Sequence, residues 1–151
     1  MTSYAERLHL KFTVQQLFDL IADVGRYPEF VPWVLAVQIR GHKGQSLWVD
    51  MTVGTSLLRR RFSTVAHLDP PHHIDISSRD SMFQRFEQHW TFESASDGGC
   101  ILGYRLDLKF RSRLLQMLIG GSLVDRAPVM VAAFRHRARE LYHAASENGQ
   151  T

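Results

Sequence analysis

The sequence has few of the features that set a chain apart from ordinary globular domains. Its 151 residues include a single cysteine, Cys100, which excludes an internal disulfide. The longest unbroken apolar run, residues 129–134, is far shorter than the roughly 20 residues that a membrane-spanning helix requires. No secretory signal segment is visible at the start of the chain. We therefore expect a cytoplasmic protein with one domain at residues 1–145 and a disordered tail at 146–151.

Catalytic and metal-binding motifs are also missing. The sequence contains no Gly-x-Ser-x-Gly elbow, no phosphate-binding glycine-rich loop and no His-Glu-x-x-His helix. His72 and His73 are adjacent, so on a strand they would point to opposite faces and could not share a metal ion. We therefore predict no catalytic residue and no metal ligand, and expect a protein that is not an enzyme.

Charge is nearly balanced, with a formal net charge of +3. The densest basic groups are Arg59, Arg60 and Arg61, and then Lys109, Arg111 and Arg113. They are explained either as the solvated face of a sheet or as a surface for anionic lipid or ribosomal RNA phosphate. The composition leaves both explanations open.

Hydropathy patterns predict the order of the secondary structure. Residues 7–12 alternate between apolar and polar, which is typical of a half-buried strand. Thr13 and Gln16 have the spacing of a capping box, and a short apolar helix follows them. Residues 33–110 then show six strand-like runs separated by turn residues, which indicates an antiparallel meander.

The last segment is helical in pattern. Between about residues 112 and 145, apolar residues that include Leu115, Phe134 and Leu141 recur every three or four positions. We expect a break or kink at Gly120, Gly121 or Pro128. The whole pattern predicts an α+β fold in which a curved antiparallel sheet wraps a long C-terminal helix, with two short helices after the first strand. A curved sheet of this kind often encloses an apolar cavity.

Several segments resemble one known family. Residues 16–20 (QLFDL) and 23–33 (DVGRYPEFVPW) resemble the opening signature of the coenzyme Q-binding protein family of the polyketide cyclase/START-like superfamily. Residues 83–92, 107–110 and 130–142 resemble the aromatic strand, last strand and closing helix of that family. The resemblance implies a helix-grip fold of the START/Bet v 1 type. It covers roughly residues 5–143 of the chain.

The resemblance also implies a function. Described members of the family bind ubiquinone or a related isoprenoid lipid and support respiration, whereas others are ribosome-associating toxins that block subunit joining. We expect non-catalytic binding of ubiquinone as a ligand, with no other cofactor and with peripheral contact to the inner membrane. Ribosome binding and polyketide cyclase activity are the alternatives. The oligomeric state is not predicted.

The expected ligand-binding residues are apolar or aromatic positions that face inwards, together with the stiff segment between the two short helices. Methionine side chains suit an adaptable ligand, aromatic rings suit a quinone ring, and Tyr104 offers a hydroxyl to a quinone carbonyl. Residues 27–33 either contact a bilayer at the mouth of the cavity or plug the core. The predicted set is Phe30, Pro32, Trp33, Met51, Phe86, Trp90, Tyr104, Leu106, Met130 and Phe134.

Overall fold

The chain forms a seven-stranded antiparallel sheet that wraps around a long C-terminal helix. The computed structural model describes residues 2–54, 59–117 and 121–149. The strands are β1 (Thr2–Leu10), β2 (Val34–Lys43), β3 (Ser46–Gly54), β4 (Arg59–Asp69), β5 (His73–Ser77), β6 (Phe83–Ser94) and β7 (Cys100–Phe110). The helices are α1 (Val14–Ala22), α2 (Arg113–Leu115) and α3 (Gly121–Gly149), with a 3₁₀ helix at Val24–Glu29. This is the α+β helix-grip fold that the sequence predicted.

The strands follow one another as a meander. Their order across the sheet is β1-β7-β6-β5-β4-β3-β2, and each neighbouring pair is antiparallel. β1 lies beside β7, so the first and last strands are neighbours, while β1 and β2 form the two edges. The six strands predicted between residues 33 and 110 are confirmed. The turn between β2 and β3 contains Gly44 at a φ of 57°, a conformation that glycine adopts at little cost.

The start of α1 confirms the predicted capping box. The Thr13 hydroxyl accepts a hydrogen bond from the Gln16 backbone N–H at 3.1 Å, and the Gln16 side chain accepts one from the Thr13 backbone N–H at 3.0 Å. These bonds satisfy two backbone donors that would otherwise lack partners at the helix end. The buried side of α1, including Leu17, Phe18 and Ile21, packs into the core.

α3 packs on the inner face of the sheet through a narrow apolar stripe. Ala127, Val131, Phe134 and Ala138 are all buried and recur at the helical spacing of three or four residues. Pro128 is one of the three positions at which a break or kink was predicted, and α3 continues through it. Pro128 is on the exposed side of the helix, where a carbonyl that loses its partner can bond to water.

The ends of the C-terminal helix differ from the sequence prediction. The short helix α2 ends at Leu115 and the long helix begins at Gly121, while Gly120 is outside the described residues. Leu141 was predicted in the apolar stripe but is 49% exposed. α3 also extends to Gly149, past the predicted domain end at residue 145. Alanine and glutamate after residue 143 favour helix, which explains the extension; residues 150 and 151 are outside the described range.

Candidate functional site

An apolar cavity of about 220 Å³ lies between the inner face of the sheet and α3. Alternating residues of β3, β4, β6 and β7 form its floor, because every second side chain of a strand points to the same face. Ala127 and Met130 of α3 form part of the opposite wall. Six residues of the predicted set line the cavity: Trp33, Met51, Phe86, Tyr104, Leu106 and Met130.

The other four predicted residues lie outside the lining. Phe134 contacts Tyr27, Phe30 and Trp90 edge-on at ring-centroid distances of 5.1, 5.1 and 5.3 Å. Of this aromatic cluster only Tyr27 also lines the cavity, and Trp90 and Phe134 are packed core behind it, where periodicity alone could not separate wall from core. Pro32 is exposed and lines a groove on the outer surface.

Phe30 is half-buried at the edge of that cluster. The Arg137 guanidinium lies 5.4 Å from the centre of its ring and also pairs with Glu29 at 3.1 Å. A cation held over an aromatic ring in this way shields the ring from water. In the segment 27–33, Tyr27 and Val31 are buried and therefore plug the core, whereas Trp33 is half-buried on the cavity wall.

Tyr104 carries the most informative polar atom of the cavity. Its side chain is only 3% exposed, and within the described part of the chain its hydroxyl is the one fully buried side-chain polar atom without a hydrogen-bond partner. Trp90 packs against the ring at a centroid distance of 4.3 Å. Burial raises the pKa of Tyr104, so the hydroxyl stays protonated and can donate a hydrogen bond to an acceptor.

A neighbouring tyrosine shows the alternative arrangement. Tyr27 is also buried on the cavity wall, but its hydroxyl donates a hydrogen bond to the backbone carbonyl of Ile21. The Thr64 hydroxyl is likewise satisfied, since it donates to the Val49 carbonyl at 2.9 Å. Gln88, which projects into the cavity from β6, adds an amide to the lining. Tyr104 and Gln88 are therefore the polar groups that could orient a ligand inside the cavity.

The cavity and the groove on the outer surface are adjacent at Trp33. Trp33, Gly54 and Arg126 line both of them, and we refer to this point as the passage. The Gly54 backbone N–H donates to the Trp33 carbonyl at 2.9 Å, which ties the end of β3 to this passage. Arg60 of β4 also lines the cavity.

Several lining residues were not predicted, although the two-residue alternation that identifies inward positions includes most of them. Phe62, Thr64 and Ala66 are alternate residues of β4, as Met51 and its lining neighbours are of β3. Arg60 belongs to the same alternation, but its charge argued against an inward position. Arg126 is four residues before Met130 and so shares its side of α3.

The first of the two basic groups divides between the faces of the sheet. Arg61 pairs with Asp50 on the outer face at 2.9 Å, whereas Arg60 lines the cavity. In the second group, Arg111 follows β7 and Arg113 begins α2, and both are exposed. Among the residues that the structure describes, none of Arg59, Arg111 and Arg113 forms an ion pair with a carboxylate.

Among the described residues, no group of three histidine, cysteine, aspartate or glutamate side chains lies close enough to hold a metal ion. In the same residues, no helix has the length and apolar character needed to cross a membrane.

A sheet that wraps a helix around an apolar cavity defines a class of ligand-binding helix-grip proteins. A START superfamily protein from Mycobacterium smegmatis has this fold, with a TM-score of 0.75 over 92% of this chain and 98% of that chain at 15% identity. Residues 10–135 match the family described as polyketide cyclase / dehydrase and lipid transport. The chain therefore belongs to this family, which confirms the family-level resemblance.

Two relatives carry more specific names. The ribosome association toxin RatA of Pseudomonas aeruginosa is 31% identical over 133 residues, which cover 88% of this chain and 92% of the toxin. The mitochondrial coenzyme Q-binding protein COQ10 homolog B of Xenopus laevis is 27% identical over 143 residues, which cover 92% of this chain but 59% of that protein. The chain is similar to both, and more similar to the toxin.

Proposed function

We propose that the protein binds a small lipophilic molecule in the cavity and that an acceptor atom of this molecule accepts a hydrogen bond from the Tyr104 hydroxyl. One observation carries the proposal: a buried donor without a partner faces an apolar cavity. An unsatisfied buried polar group costs about 1–3 kcal/mol, and a ligand carbonyl at this position would remove that cost. Tyr27, whose hydroxyl is satisfied within the protein, offers no such reason for a ligand.

The volume of the cavity limits what it can hold. At about 220 Å³ it is larger than the roughly 150 Å³ of an engineered cavity that binds benzene, but smaller than the roughly 300–1,000 Å³ of most small-molecule sites. One substituted ring therefore fits, whereas a long isoprenoid tail would have to leave through the passage at Trp33. A quinone ring has the carbonyl acceptors that Tyr104 requires. These features support ubiquinone as a candidate ligand.

The ligand can be tested directly. We expect organic extraction of the purified protein, followed by mass spectrometry, to release a ring-containing lipophilic molecule. A short-chain ubiquinone analogue should bind the emptied protein in isothermal titration calorimetry. Recovery of empty protein that also rejects the analogue would contradict the proposal.

A variant whose side chain fills the cavity tests the proposal against a matched control on the same helix. Met130→Trp places a larger ring on the cavity wall, so it should weaken binding of the analogue by about tenfold or more with little change in the melting temperature. Leu141→Trp is the control, because Leu141 lies on the same helix and is 49% exposed. If Met130→Trp melts far lower while binding stays normal, the space is packed core and not a ligand site.

Ribosome association is a second candidate, and it concerns the cellular role of the protein. From the sequence, ribosome association was predicted only as an alternative to quinone binding. The relatives favour the reverse order, because the similarity to the ribosome association toxin is higher and covers most of both chains. Ligand binding and ribosome association are compatible, because the first uses the interior and the second the surface.

Exposed arginines at the end of the sheet that carries the passage support this candidate. Arg59 and Arg79 belong to β4 and the loop before β6, and Arg111 follows β7. The Arg111 backbone N–H donates a hydrogen bond to the Met82 carbonyl at 3.1 Å, which holds the residue after β7 against the loop before β6. Arginines without carboxylate partners can bind the phosphates of ribosomal RNA.

Sedimentation profiles test the ribosomal role. Overexpression of the protein should lower the fraction of joined ribosomes, and Arg59→Glu with Arg111→Glu should abolish this effect. Lys43→Glu with Arg139→Glu makes the same change in net charge at exposed positions away from this end of the sheet and should leave the effect intact. Arg61 is unsuitable for the test because it pairs with Asp50. Profiles that do not respond to overexpression would contradict the candidate.

A further inference from the structure

Two arginines are the only charged residues on the cavity wall that the structure describes. Arg60 projects from the sheet, and Arg126 projects from α3 on the opposite side. No aspartate or glutamate belongs to the described lining. The cavity is thus apolar inside and positively charged near its opening.

Among the described residues, neither arginine has a carboxylate partner. In the described residues, the one hydrogen bond of the Arg60 side chain goes to the Arg59 backbone carbonyl at 3.0 Å, and Arg126 forms no ion pair. Other arginines do have carboxylate partners: Arg7 with Glu93, Arg26 with Asp23, Arg61 with Asp50, Arg105 with Asp107 and Arg137 with Glu29. Two like charges on one small cavity repel each other, and a bound anion would relieve that repulsion.

The position of Arg126 places the charge at the exit and not in the interior. This residue lines both the cavity and the outer groove, together with Trp33 and Gly54. The stem of an arginine can pack against apolar side chains while its guanidinium stays near water. A guanidinium also matches the paired oxygens of a carboxylate or phosphate.

We propose that the ligand of this cavity is an acid, whose apolar body occupies the cavity and whose carboxylate or phosphate binds Arg60 and Arg126 at the opening. The inference rests on the proposed lipophilic ligand and favours an acid over the neutral ubiquinone as that ligand. A neutral quinone would use Tyr104 alone, whereas a lipophilic acid uses both ends of the cavity.

Three small molecules with a similar alkyl chain separate the contribution of the charged group from that of the apolar body: octanoate, octyl phosphate and 1-octanol. We expect at least one of the two acids to bind about tenfold tighter than the alcohol in isothermal titration calorimetry. Preference for octanoate identifies a carboxylate ligand, and preference for octyl phosphate identifies a phosphate ligand. Equal affinity for all three probes would overturn the inference but leave the lipophilic cavity intact.

Charge-removing variants test the two residues. Arg60→Gln and Arg126→Gln should each reduce the affinity for the preferred acid about tenfold and leave that for 1-octanol unchanged. The controls are Arg59→Gln, the exposed neighbour on β4, and Arg139→Gln, an exposed position on α3, and both should bind as the wild type does. Equal losses for acid and alcohol would contradict a role of the charge. If no probe binds and the ubiquinone analogue fails as well, the lipophilic cavity itself is wrong.

Discussion

The buried carboxylates on the outer face of the sheet differ from the Tyr104 hydroxyl on its inner face. On the outer face, Asp50 is 6% exposed, pairs with Arg40 and Arg61, and accepts a hydrogen bond from Ser63 at 2.9 Å. Asp107 on β7 is 2% exposed and is held in the same manner by two arginines and a serine: Arg85, Arg105 and Ser3. On the inner face, the Tyr104 hydroxyl has no hydrogen-bond partner among the residues that the structure describes.

This difference separates groups that stabilise the fold from groups that are free to bind. The buried carboxylates of the outer face find every partner within the chain, so they act on stability. Among the described residues, the Tyr104 hydroxyl has no hydrogen-bond acceptor, and the Arg60 and Arg126 guanidinium groups have no carboxylate counterion. A ligand can supply both kinds of partner. Substitutions on the two faces should therefore change different measured quantities.

The largest effect is expected in the packed part of the inner face. Phe134 is 2% exposed and contacts three aromatic rings, so Phe134→Ala should lower the free energy of unfolding by about 3–5 kcal/mol. Met130→Ala, on the half-open cavity wall four residues earlier, should cost clearly less. Urea denaturation measures both. Equal losses would mean that wall and core are packed alike.

The second largest loss in the free energy of unfolding is expected on the outer face of the sheet. Asp50→Ala removes the shared partner of Arg40, Arg61 and Ser63, and should lower the free energy of unfolding by about 2 kcal/mol without changing ligand affinity. Asp75→Ala is a control on an exposed aspartate that pairs with His89 alone, and it should cost much less. A change in ligand affinity in Asp50→Ala would contradict the division between the faces.

The same carboxylate predicts a pH dependence. The hydrogen bond from Arg40, supported by those from Ser63 and Arg61, lowers the pKa of Asp50 from 3.8 to about 2. Because the folded-state pKa lies below the unfolded value, this contribution to stability is complete above pH 3.8 and is lost as the pH falls towards 2. The stability difference between wild type and Asp50→Asn should therefore shrink over this interval. A constant difference would contradict the assignment.

Much of the fold follows from the sequence by simple periodicity. Alternation with a period of two residues predicted six strands, the Thr13 and Gln16 pair predicted the start of α1, and the apolar repeat predicted α3. These patterns work because each reports which residues of one element are buried. The pattern did not show that Pro128 is on the solvent side of a helix that continues through it.

The site was harder to predict than the fold, for a physical reason. Periodicity identifies inward residues but does not show whether they meet other side chains or an open cavity. Trp90 and Phe134 have the same inward pattern as Phe86 and Met130, yet the first two are core and the last two are wall. Arg60 and Arg126 were missed because charge normally indicates exposure.

The most direct test of the central claim compares two tyrosines that differ in one hydrogen bond. Tyr27→Phe loses the bond to the Ile21 carbonyl and should cost about 1 kcal/mol of stability, whereas ligand-free Tyr104→Phe should be at least as stable as the wild type. Tyr104→Phe should also bind the cavity ligand about tenfold more weakly. If Tyr104→Phe instead loses stability as Tyr27→Phe does and keeps full affinity, the account of this cavity as a ligand site is contradicted.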